Sequence, residues 1–260
     1  MKLRPLLSTV FASTCLLSAV PAALAQQERP QRDQAQDNSA IPPALRAAIA
    51  SGNAQAVTQV IQTLSAGNPQ RTAALAALAV AAAERMVVTN PQAAIAVAGA
   101  AVAVVSSTPV YASAPDQTST ILTVAARIMV RPEVQRIAPE AVANLSVAVV
   151  TLASTPQVYQ ASPQAAVQVM ANAYAAANSP VVAASSPQVV TSVAQALNNA
   201  SSSTQLNQAN ATNSAQIAAI LAGQNTGNQN QGPTQRVERE RPQSPEFPVE
   251  SEQNNTTSPN

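Results

Sequence analysis

Through the middle of the chain, large apolar residues return at helical spacing, and the prolines between them return on a fixed ruler. Pro91, Pro115, Pro139, Pro163 and Pro187 are each 24 residues apart, with Pro69 standing 22 before the first. A second track, Pro132, Pro156 and Pro180, keeps the same 24-residue interval, with Pro109 displaced by one. Val110, Val134, Val158 and Val182 make a third column in the same register. Three columns in register identify tandem supersecondary units of the kind that stack into an array.

Each unit reads as helical. Asn90, Ser162 and Ser186 precede first-track prolines, which places an N-cap side chain before Pro at the first helical position, where the missing N–H costs nothing. A helix of about 15 residues is expected to follow. Six residues after the prolines come Leu75, Val97, Ile121, Leu145, Val169 and Val193, always large and apolar. Further apolar positions such as Ala125 and Ile128, or Val149 and Leu152, complete one face. The second track interrupts the helix, since proline removes a donor and clashes with the preceding turn. Thr108-Pro109, Thr155-Pro156 and Ser179-Pro180 repeat the cap-then-proline signal. They predict either a second helix of about two turns, with antiparallel neighbours, or an extended connector that returns the chain to its starting side.

The fold class expected is therefore all-α: tandem 24-residue helical repeats stacked as an α-solenoid or irregular helical array, with disordered termini. The repeat domain is expected over 42–200, with 42–68 as an N-terminal cap of two short helices and 69–200 as the repeats. One unit alone buries too little to offset the ordering of its backbone, so several must stack. Beyond Ala200 the composition turns to Ser, Thr, Asn and Gln, and 201–260 reads as a mostly disordered polar tail with one short helix over 214–222.

The N-terminus changes the picture. Lys2 and Arg4, the apolar stretch Leu6 to Val20 and the small residues Ala23 and Ala25 compose a secretory signal peptide, 1–25, cleaved after Ala25. It resembles the bacterial Sec type. A lipidated variant would use Cys15, but Thr14 before it is bulkier than the residue such a site takes. Residues 26–41 are polar and aperiodic and read as a disordered leader. The expected location is periplasmic or extracellular.

Composition then removes function classes. The chain has no His, one Cys and a single Lys, Lys2. After cleavage neither a disulfide nor a thiolate metal site remains, and no serine has a His or Lys to activate it. The remaining 11 Arg against 12 acidic residues leave a formal charge of −1, so no electrostatic case for nucleic acid survives. No later segment has the length of a transmembrane helix. Asp116, Glu133 and Glu140, near Arg127, Arg131 and Arg136, are the carboxylates nearest to a paired acid and base. Two of them follow the prolines that open helices, where negative charge is favoured. No cofactor is expected.

Two candidates for partner binding remain. Tyr111 and Tyr159 hold the same repeat position two periods apart, and a repeat array sets such residues on one face. They are either aromatic anchors for a peptide or glycan or rings that cover the connector. Residues 141–235 carry no charge at all, so this surface is either neutral and amide-solvated or covered by self-association or an envelope component. The expected function is an exported, non-catalytic helical-repeat scaffold or protein-interaction module of the bacterial envelope. The alternative is a secreted fibre-forming or matrix protein built on cross-β repeats, which two prolines per repeat oppose.

Overall fold

The computed structural model describes residues 41–224. The expected signal peptide, the leader apart from Ile41 and the tail from 225 onward lie outside the described residues. Those that are described form fourteen helices and no strand. The chain opens with α1 (Pro43–Ser51), α2 (Ala54–Ser65) and α3 (Pro69–Met86). Long and short helices then alternate: α4 (Pro91–Val105), α5 (Thr108–Ser113), α6 (Pro115–Met129), α7 (Pro132–Ile137), α8 (Pro139–Ala153), α9 (Pro156–Ala161), α10 (Pro163–Ala177), α11 (Pro180–Ser185) and α12 (Pro187–Ser202). The last two are α13 (Thr204–Ala209) and α14 (Asn213–Leu221). Between the two expected connectors the chain adopts the short helix, and the cross-β arrangement is not what the repeats adopt.

Proline holds the first or second position of every helix from α3 to α12. Its fixed φ suits the opening turn and its lost donor is one of the four that have no partner there. The capping differs from expectation at all the expected sites but Asn90: Thr155 and Ser179 hold N-cap positions without a side-chain cap bond, and at α5 the N-cap is Ser107, with Thr108 the first helical residue. Asn68 and Asn90 accept from the backbone N–H of Arg71 and Ala93, both at 3.0 Å. Ser162 and Ser186 occupy N-cap positions without a side-chain cap bond, as do Ala114 and Ala138. Each of these four also closes the preceding short helix. A single residue with φ between −137° and −155° thus turns the chain from one helix into the next, and the backbone turn replaces the side-chain cap.

Packing follows from the connector length. A six-residue helix advances about 9 Å, far less than the ~22 Å of a long one, so it moves the chain sideways without returning it, and successive long helices run in opposite directions. They sort into two rows: α3, α6, α10 and α14 pack in one, and α2, α4, α8 and α12 in the other. Within a row the helices are parallel; Glu84 near the end of α3 pairs with Arg127 near the end of α6 at 3.1 Å. The short helices form two columns at opposite ends of the array, α5 on α9 on α13 at one and α7 on α11 at the other. The structural repeat is therefore two sequence units, 48 residues.

The core is the seam between the rows. Leu75, Val97, Ile121, Leu145, Val169 and Val193 are all buried there, and Val110, Val134, Val158 and Val182 are buried beneath the short helices. The array also runs past the expected boundary at residue 200. Leu206 in α13 and Ile217 and Ile220 in α14 are buried, and α14 packs on both α10 and α12. No helix among the described residues is long and apolar enough to cross a membrane.

Candidate functional site

The alternating helix direction decides where the charged candidates fall. Asp116 opens α6 at the α5–α9–α13 end, whereas Glu133 and Glu140 open α7 and α8 at the opposite end. The three carboxylates are not brought together. Asp116 borders a groove of about 430 Å³ with Ser119, Thr120, Thr123 and Arg127, and three of these side chains are engaged within the fold. The hydroxyls of Thr120 and Thr123 donate to the carbonyls of Asp116 (3.0 Å) and Ser119 (2.9 Å), and Arg127 is tied to Glu84. Among the described residues no group of three His, Cys, Asp or Glu side chains could hold a metal ion.

The two tyrosines occupy equivalent places on stacked short helices, Tyr111 on α5 and Tyr159 on α9, as their two-period spacing requires. Their surroundings differ. Tyr111 is half-buried, and its hydroxyl donates to Thr108 Oγ1 at 3.2 Å on the exposed side. Tyr159 is fully buried, its ring shielded from solvent. Burial of Tyr159 follows from the next layer. The third equivalent residue, Asn207 on α13, has no ring, and the amides of the last unit close over Tyr159 instead.

The contacts made there are polar, buried at Tyr159 and Asn213 and open to solvent at Thr212. The Tyr159 hydroxyl donates to Asn213 Oδ1 at 2.8 Å and accepts from Asn210 Nδ2 at 3.2 Å. Asn213 Nδ2 in turn donates to the Ala200 carbonyl at 3.0 Å and to Asn207 Oδ1 at 2.9 Å. Asn210 Nδ2 also reaches Gln216 Oε1 at 3.0 Å, and Asn210 Oδ1 accepts from the backbone and hydroxyl of Thr212. Desolvation raises the Tyr159 pKa above the ordinary phenol value, and the Asn210 hydrogen bond offsets part of that rise. The network ties α9 to α13 and α14, so its role is to dock the final unit.

Outside this network the same column of short helices presents a different surface. A cavity of about 700 Å³ lies between α9 and α13, lined by Pro156, Gln157, Gln160, Gln205, Gln208 and Ala209. A second, of about 450 Å³, adjoins it at Ala209 and the end of α9, adding Ser162, Gln164, Thr212 and Gln216. The first is a furrow along the seam of α9 and α13 without an ionisable side chain; the second leads on, at Ala161 and Ser162, to the groove that Asp116 and Arg127 border. Gln157, Gln160, Gln205 and Gln208 are exposed. Gln205 and Gln208 each stand 48 residues after their counterparts on α9, so the two helices repeat the same pair of amides. On α5 the corresponding residues are Pro109 and Ala112, and on α7 Glu133 and Arg136. The furrow therefore belongs to the last two layers of one end. Sequence reasoning passed over these glutamines as solubilising residues, although their two-period spacing is the signal that singled out the tyrosines.

The chain matches no protein-family model, no curated protein and no solved structure. What it does is argued from its own residues.

Proposed function

We propose that this chain is an exported, non-catalytic helical-repeat scaffold, an interaction module that serves a protein or envelope partner in the bacterial periplasm or at the cell surface. The observation that carries the reading is the furrow between α9 and α13: a row of exposed amides, free of charge, on a rigid pair of stacked helices. Groups of this kind bind and orient; they neither transfer protons near neutral pH nor act as nucleophiles. Export is supported by the Met1–Ala25 pattern, and interaction by the absence of His from the chain and of Lys beyond position 2.

The test is fractionation of a bacterium that expresses the full chain, followed by N-terminal sequencing of the product. A mature chain that begins at Gln26 in the periplasm or outside the cell is the expected result. An uncleaved chain retained in the cytoplasm would refute the exported reading, and turnover of an ester, amide or glycoside that disappears on replacing Asp116, Glu133 or Glu140 would refute the non-catalytic one.

A further inference from the structure

The furrow restricts what can occupy it. Nothing in the lining between α9 and α13 offers a countercharge, and no Asp, Glu, Lys or Arg occurs between residues 141 and 235. An ion or a strongly charged ligand would lose hydration there without compensation. Each glutamine instead offers two N–H donors and a carbonyl acceptor. The amides of Gln157, Gln160, Gln205 and Gln208 make no side-chain hydrogen bond among the described residues and stand in water. They occur as two copies of one pair on adjacent helices, which pack about 8 to 10 Å apart. The matching ligand is a neutral polymer that repeats a donor and an acceptor.

Two neutral polymers have such groups, and the lining separates them. Sugar rings gain much of their affinity by laying a C–H face on an exposed aromatic, and this furrow has none, because Tyr159 lies buried beneath it. A polypeptide in extended form shows N–H and C=O along both edges, repeating on each edge every two residues, about 6.6 Å. A carboxamide is the side-chain counterpart of the peptide group and can pair with it at two points. Pro156 and Ala209 leave a small apolar floor for short side chains. We infer that the furrow between α9 and α13 binds an uncharged polypeptide segment in extended conformation, recognised through its main-chain amides. This rests on the reading of the chain as an interaction module and adds the surface and the class of partner.

The experiment uses the whole mature chain, residues 26–260, with its glutamine side chains labelled for NMR. The probes are a capped twelve-residue peptide of alternating serine and threonine, the same peptide N-methylated at every second residue, and a linear neutral glucan oligosaccharide. The unmodified peptide is expected to shift the amide signals of the four furrow glutamines at millimolar concentration. Replacing all four by alanine is expected to weaken it about tenfold or more. The helical circular dichroism should not change, because these side chains hold nothing inside the fold. N-methylation should abolish the shifts. Equal binding by the alanine variant or by the N-methylated peptide would overturn the inference, as would no peptide binding at all or binding of the glucan alone. Peptide shifts confined to another face would also overturn it, yet leave the interaction-module reading standing. That reading is decided separately, by fractionation.

Discussion

At the scale of single residues, Tyr111 and Tyr159 show how one repeat position acquires two roles. Both are written into the sequence at equivalent places and both have a short helix stacked above them, but only the layer above Tyr159 brings Asn210 and Asn213 to its hydroxyl. Tyr159→Phe leaves the carbonyl of buried Asn213 without its donor, which costs about 1 to 3 kcal/mol, whereas half-buried Asn210 keeps Gln216 and Thr212. Tyr111→Phe loses only an exposed bond to Thr108 and should stay within about 0.5 kcal/mol of the parent. Paired thermal melts check this; equal melting temperatures for the two variants would contradict it. A pH dependence follows from the raised Tyr159 pKa. The folded chain keeps this proton at a pH where the unfolded chain has lost it, so the stabilisation is full below about pH 10 and is lost as pH rises through the folded value. The stability gap between the parent and Tyr159→Phe should therefore narrow above about pH 10. A gap that widens there would reverse the sign of the argument.

At the scale of elements, the positions at which helices start were legible because proline is informative twice: it cannot sit in a helix interior and it fits the first turn. The columns at Val97 and Val110 were legible because burial demands a large apolar side chain in every unit. What escaped was the end of the array. Leu206 is 24 residues after Val182, and Ile217 is 24 after Val193. Ala211, however, stands where the next proline is due, and the surrounding Ser, Asn and Gln resemble a tail in composition. The furrow escaped for a related reason: its shape depends on α9 lying against α13, a two-unit relation that a one-unit ruler does not reveal. Glycine gives a test at this scale. Gly52 ends α1 at φ +65°, and a Cβ there would come within 2.7 Å of Ala93 Cβ on α4. Gly99, inside α4, has nothing within 4 Å of an added Cβ. Gly52→Ala should lose about 1 kcal/mol or more to strain and collision, whereas Gly99→Ala should gain about 0.5 to 1 kcal/mol of helix propensity. Denaturant midpoints that move in the same direction for both would show that the α1–α4 contact is not as tight as described.

At the scale of the whole molecule, a stack of repeats must also stop, because each interior helix presents apolar surface to the next. The fifth position of the long helices is buried in Ile95, Ser119, Ala143 and Val167, and the twelfth in Val102, Ala126 and Val150. In α12, the last helix of its row, those positions are Thr191 and Asn198, both exposed. At the other end α2 turns Gln55, Gln59 and Gln62 outward. Among the described residues, the array is thus closed by polar substitution at these positions, which in the interior receive another unit. Restoring the interior pattern should reopen it: a Thr191→Val, Asn198→Val double variant places two β-branched side chains on an uncovered helix face. Two copies could then meet by that face across a two-fold axis, with association strengthened about tenfold or more. Sedimentation over a range of concentrations decides the matter. The expected result is a parent chain whose sedimentation coefficient is constant with concentration and a variant whose coefficient rises. A parent that already forms end-to-end oligomers, or a variant that sediments as the parent does, would mean that Thr191 and Asn198 are not what ends the stack.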